Sequence, residues 1–120
     1  MKASILKDKS FRFAVRVVNL YQYLCEEKKE FVMSKQILRS GTSVGAMVHE
    51  VEYAESIDDF IHKMAIAQKE INETTFWLEL LKETKYILTN EFESIHTDAV
   101  EIIKMITSSI KTAKSKKTNH

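Results

Sequence analysis

Apolar positions recur along the chain at steps of three and four and divide it into four helical segments. The third is the clearest. Phe60, Met64, Ala67, Ile71, Thr74, Leu78 and Leu81 alternate steps of four and three, the seam of a helix lying nearly parallel to its neighbours. This spacing predicts a helix over residues 57–87. Phe92, Ile95, Ala99, Ile102, Ile106 and Ile110 keep the rhythm in a fourth helix over residues 91–114. Ile37, Gly41, Val44, Val48 and Val51 keep it in a second, over residues 34–55. The first helix covers residues 9–28, and residues 115–120 read as a basic, frayed tail. Ser56 with Asp59 three residues on, and Asn90 with Glu93, are the side-chain caps expected where the third and fourth helices begin. Four helices of about 20–30 residues joined by short polar turns bury their stripes most simply as an all-α, antiparallel up-down-up-down four-helix bundle.

Composition supports this reading and narrows it. A chain of 120 residues is one domain's worth, and 0 prolines with 2 glycines leave almost nothing to build hairpins or sheet corners. All-β and α/β folds are excluded on that ground. Apolar residues at 44% and charged residues at 29% are the balance of a soluble protein with a core. A single cysteine forms no internal disulfide, and the opening residues lack the apolar centre of a secretory signal, so a reducing cytoplasm is expected. No run of uncharged apolar residues is long enough to span a membrane, and none is expected as a partner.

Two features ask for contacts that periodicity does not supply. Gly41 and Gly45 lie inside the second helix, where each costs about 1 kcal/mol relative to alanine. Four residues apart, they share a face on which another backbone can approach, either within the subunit or between subunits. The first helix is apolar over too much of its circumference. Phe11, Ala14, Val15, Val18 and Cys25 form one stripe, and Phe13, Val17, Leu20 and Leu24 form a second about 110° away. If one stripe faces the core, the other needs a partner or two closely flanking helices. The expectation is self-association, with Phe13, Val17, Leu20 and Leu24 as the oligomer interface.

The net charge of +1 conceals a segregation. Residues 1–48 carry a balance of +5, residues 49–101 one of −9, and residues 102–120 one of +5. An up-down-up-down bundle gathers both chain ends and the second turn at one pole. Lys7, Lys9, Arg12, Arg16, Lys111, Lys114, Lys116 and Lys117 would then form a phosphate-binding patch for RNA, since clustered cations release counterions on binding nucleic acid. The same residues also suit solvated helix ends. Beside them lie Glu50, Glu52, Glu55, Asp58 and Asp59, which could meet the basic ends of a neighbouring subunit.

Catalytic and metal chemistry find little support. Glu93 with His96, and Asp59 with His62, resemble halves of a di-iron site, but they open different helices and fall at opposite poles, about 45 Å apart. His49, Glu52, Asp59 and His62 could cluster around the second turn, where solvated side chains are the simpler account. Cys25 sits on an apolar stripe without a nearby histidine, which suits a buried side chain better than a nucleophile. Phe76, Trp77 and Tyr86 suit packing more than base stacking. No phosphate-cradling glycine loop or nucleophile elbow is present. No metal, cofactor or enzymatic activity is expected.

The run from Ser34 to Leu81 resembles a known family. Ser34-Lys-Gln-Ile-Leu-Arg-Ser-Gly-Thr-Ser-Val-Gly-Ala, then Glu50, then Asp59-Phe-Ile-His-Lys-Met-Ala-Ile-Ala and Glu73, is similar to the four-helix bundle proteins encoded in intervening sequences of bacterial 23S ribosomal RNA genes, often called ribosomal proteins. Gln36, Arg39, Ser40, Ser43, Val44, Ala46, Glu50, Phe60, Ala67 and Glu73 carry the likeness. Where that family has Asn-Ile-Ala-Glu-Gly, this chain has Met47-Val-His-Glu-Val51. The resemblance implies a non-enzymatic bundle forming a homo-oligomeric ring, a pentamer. A related branch implies an adaptor role, as an accessory subunit that binds a reverse transcriptase and its RNA.

Overall fold

A computed structural model describes residues 2–118. Four helices follow one another, α1 Lys2–Glu26, α2 Met33–Glu50, α3 Ile57–Glu83 and α4 Thr89–Thr118, with one 3-10 turn at Val51–Tyr53. Each helix packs on its chain neighbours and α4 closes back on α1, whereas the backbones of the diagonal pairs stay apart across the core among the described residues. Short connections oblige neighbours to run antiparallel. The resulting rod measures 53 × 22 × 20 Å, one long helix in length and two helix diameters across.

The helix ends depart from expectation for local reasons. α1 starts well before residue 9 because nothing between Lys2 and Asp8 breaks a helix, and Leu6, buried at 2% exposure, adds a turn to the core. α2 stops at Glu50 rather than continuing to residue 55. There the backbone tightens into the 3-10 turn, which places Val51 in the core. α4 continues past residue 114, so residues 115–118 of the expected frayed tail are helical, and residues 119–120 lie outside the described residues.

The caps are partly those expected. Ser56 Oγ accepts the Asp59 N–H at 3.0 Å, and Asp59 returns the favour by accepting the Glu55 N–H at 3.1 Å. The fourth helix uses Glu91 instead of Glu93, since Glu91 Oε1 accepts the Leu88 N–H at 2.8 Å. α2 is capped by Glu30, whose carboxylate accepts the N–H groups of Val32, Met33 and Ser34 at 3.1, 3.0 and 2.8 Å. Burial pushes the Glu30 carboxyl up, but the three backbone donors outweigh it and hold the group below its ordinary value.

The two stripes of α1 take the opposite roles from those expected. Phe13, Val17 and Leu24 are 1%, 0% and 0% exposed, with Leu20 packed against the same core, so the stripe expected at an oligomer interface lies inside the single subunit. Gly41 explains why. A Cβ there would stand 2.7 Å from Val17 Cγ2, so the glycine admits Val17 between α1 and α2. Gly45 brings α2 close to α1 again, with its added Cβ 3.3 Å from the Ser10 carbonyl oxygen. Phe11 and Val15, of the other stripe, are 67% and 45% exposed.

Polar side chains tie α2 to α3. The buried Ser40 and Thr74 hydroxyls lie 2.9 Å apart. Arg39 Nη2 donates to Glu73 Oε2 at 2.5 Å, and Trp77 Nε1 donates to the same oxygen at 3.0 Å. The Trp77 N–H, then Arg39, hold the Glu73 carboxyl below its ordinary value against the opposing effect of burial.

Candidate nucleic-acid interface

The eight basic residues expected to form one patch divide into two groups. Lys7 lies 3.0 Å from Glu52, Arg12 3.1 Å from Asp8, Lys9 2.5 Å from Glu101 and Arg16 2.7 Å from Asp98. Arg16 also donates to Ser94 Oγ at 2.9 Å. Lys117 reaches Asp58 at 2.5 Å. The acidic second turn therefore meets basic ends of its own chain. Pairs as exposed as these contribute about 0–1 kcal/mol each. Their larger effect here is local neutralisation, and Lys9 and Arg16 also clasp the seam between α1 and α4.

Lys111, Lys114 and Lys116 make no ion pair among the described residues. Lys111 and Lys114 belong to a row that composition alone does not reveal. At about 100° per residue, Lys104, Thr107, Ser108, Lys111, Lys114, Ser115 and Thr118 fall within an arc of about 120°. That arc faces away from the buried Ile102, Ile106 and Ala113, and all seven residues are exposed. The row runs about 21 Å along the helix. No Asp or Glu follows Glu101 in the chain. Two carboxylates near its ends, Glu101 and Asp58, are engaged by Lys9 and Lys117. Lys104 and the hydroxyl residues were not among the expected contacts. Their signal is the helical angle, which a count of charges along the chain discards.

Other candidate chemistry does not converge. Among the described residues no three His, Cys, Asp or Glu side chains lie close enough to hold a metal. Of the turn cluster, Asp59 is engaged by Lys63 at 2.8 Å, which with the Glu55 N–H holds its carboxyl below the ordinary value, and His49 rests against Tyr53. His96 stacks on Phe92. Cys25 is half-buried, with Sγ 3.7 Å from Ser34 Oγ.

A second surface feature is a groove of about 780 Å³ between α1 and α2, lined by Phe11, Ala14, Thr42, Gly45, Ala46 and His49 among others. It lies beside the outward stripe of α1. The glycine that lets the helices approach also leaves its floor without a side chain.

Fold and surface together define a helical bundle with a basic helix face and an apolar groove. The chain belongs to the 23S rRNA-intervening sequence protein family, which matches residues 2–108. It is similar to a crystallised protein of unknown function from the S23 ribosomal protein family of Bacteroides thetaiotaomicron VPI-5482, at 59% identity and a TM-score of 0.91 over 92% of this chain and 99% of that one. Comparison with curated proteins gives no match. Among the described residues no helix is long and apolar enough to cross a membrane.

Proposed function

We propose that the protein is a non-catalytic, homo-oligomeric RNA-binding bundle of the cytoplasm that contacts RNA phosphates through α4. The observation that carries this reading is the exposed row containing Lys104, Lys111 and Lys114, on a stretch of helix free of carboxylates. Membership of a family described by its 23S rRNA intervening sequences agrees with an RNA partner. The test is the salt dependence of binding to labelled RNA. Three neutralised phosphates give a log–log slope of about −2.7, so affinity should fall about 40-fold between 50 and 200 mM salt for each subunit engaged. Absence of binding at 50 mM salt would overturn the reading.

The exposed Phe11 and Val15 beside the α1/α2 groove support self-assembly through that face, as a ring such as a pentamer. Light scattering should then report several times 13.9 kDa. Phe11→Glu with Val15→Lys should lower the mass while leaving helix content unchanged. A wild-type monomer would refute self-assembly. The groove would then serve a different protein, as in the adaptor role of a reverse transcriptase accessory subunit.

A further inference from the structure

The chemistry of the α4 row says more than that it is basic. Lys, Ser and Thr can reach base edges in DNA, but the deep, narrow major groove of an RNA duplex shuts side chains out. Reading unpaired RNA depends on the amides of Asn and Gln and on Arg planes or aromatic rings that support unstacked bases. Residues 104–118 contain no Asn, Gln, Arg or aromatic residue. The exposed row consists of lysines, which act as point charges, and of Ser and Thr hydroxyls. Those of Thr107, Ser108 and Ser115 can donate to phosphate and ribose oxygens, while that of Thr118 is given to the Lys114 carbonyl. Its seven members lie on one side of α4, and of the two hollows that open beside it, about 280 Å³ at Lys104 and Ser108 and about 530 Å³ at Ser108 and Lys116, the aromatic ring in the linings, Phe60, packs against the core.

The aromatic residues that might supply stacking lie elsewhere. Gln68 Nε2 donates to Thr107 Oγ1 at 3.2 Å and so fixes the register of α3 against the row. Phe76 and Trp77 stand about 12–13 Å further along α3, beyond the row's N-terminal end. Trp77 is committed to Glu73, and Phe76 packs edge-on against Trp77 at 4.9 Å. The exposed Tyr53 follows α2, the helix diagonal to α4.

We infer that the partner of this row is double-helical RNA, held by its phosphate and ribose backbone without regard to sequence. This rests on the RNA-binding reading above and specifies its substrate class. A rigid helix carrying cations and hydroxyls along one side matches a rigid duplex with regularly spaced phosphates. A single strand would have to straighten against the row, with its bases left unstacked and unsupported. The paired residues of α1 and of the α4 end contribute indirectly: Lys9 and Lys117 neutralise Glu101 and Asp58, the carboxylates that would otherwise repel the duplex.

The test uses full-length protein and a 20-base-pair RNA duplex, its two separated strands chosen to be unstructured, and a duplex of scrambled sequence, at 100 mM salt. Both duplexes should bind equally and at least several-fold more tightly than either strand. Lys111→Ala should reduce the salt slope for the duplex by about a third, since one of three phosphate contacts is lost however many subunits engage. Circular dichroism of the variant should match wild type, because the side chain is exposed. Tighter binding of a single strand, or discrimination between the duplexes, would overturn this inference while leaving RNA binding intact. Failure of every RNA to bind would instead overturn the reading on which it rests.

Discussion

Gly41→Ala tests the packing on which the assignment of α1's two faces depends. Taken alone, alanine is the better helix former by about 1 kcal/mol, and on an open face the substitution would stabilise the protein by that amount. The face is not open. The new methyl would stand 2.7 and 2.8 Å from the two γ-carbons of Val17, itself fully buried. Overpacking of a tight core costs about 1–3 kcal/mol, so a net loss of up to about 2 kcal/mol is expected. For a domain of this size that lowers Tm by up to about 8 °C. Val17→Ala alone should also destabilise, by leaving a cavity. The double variant should recover part of both losses, because the added methyl fills the space the valine vacates. Urea denaturation of the four proteins measures a coupling of about 1–2 kcal/mol. Gly45→Ala is the internal control. Its methyl meets the Ser10 carbonyl at 3.3 Å and the Ala14 methyl at 3.6 Å, a milder crowding that the gain in propensity should roughly balance. Stabilisation by Gly41→Ala together with no coupling to Val17 would refute the close approach of α1 and α2.

Lys85 ends α3 in the left-handed region at φ 68°, with Tyr86 N–H bonded to Leu81 O and Lys85 N–H to Lys82 O, the double bond pattern that favours glycine. Lys85→Gly should raise stability by about 0.5–1 kcal/mol, because the relieved steric cost exceeds the added freedom of the unfolded chain; a lower Tm would contradict this. The depressed carboxyl of Glu30 contributes stability that is full above its unfolded value near pH 4.5 and disappears as pH falls through its lower folded value. Glu30→Gln should therefore destabilise the protein at pH 7 and flatten the loss of stability as pH falls below about 4.5. Parallel pH profiles for the two proteins would show that the cap carries no such linkage.

Why some of this was legible beforehand follows from the helices themselves. In α2 and α4 the apolar positions gather on one arc, and in α3 an unbroken four-three seam stands out although Ile61, Ala65, Ile66 and Leu80 lie off it, so the period selects the buried face. In α1 two arcs compete, and apolar content cannot rank them. A finer signal was available: Leu6, Ser10, Phe13, Val17, Leu20 and Leu24 carry the four-three alternation over six positions from the start of α1, whereas Phe11, Ala14, Val18 and Cys25 begin later and keep it only through the polar-tipped Tyr21. Ser10 hid it, being polar in sequence yet 1% exposed, with its hydroxyl donated to the Lys7 carbonyl.

Charge was legible as a total and misleading as a map. Summation along the chain placed eight cations at one pole, but α1 and α4 turn them toward different neighbours. Lys7 and Glu52 are 45 positions apart and Arg16 and Asp98 are 82, so no local window contains both partners. The α4 row needs no partner to be recognised. It emerges once positions 104–118 are set at their helical angles.

The most direct test of the account is to remove equal charge from the two places. Lys104→Ala with Lys111→Ala and Lys7→Ala with Arg12→Ala each lower the net charge by two, and binding of the same RNA duplex is measured for both at 100 mM salt. If each phosphate contact contributes about 0.9 log unit per decade of salt below 1 M, the α4 pair should weaken binding by about 60-fold. The α1 pair, already engaged by Glu52 and Asp8, should change it by less than about threefold. Equal losses from the two variants, or a greater loss from the α1 pair, would contradict the placement of the RNA interface on α4.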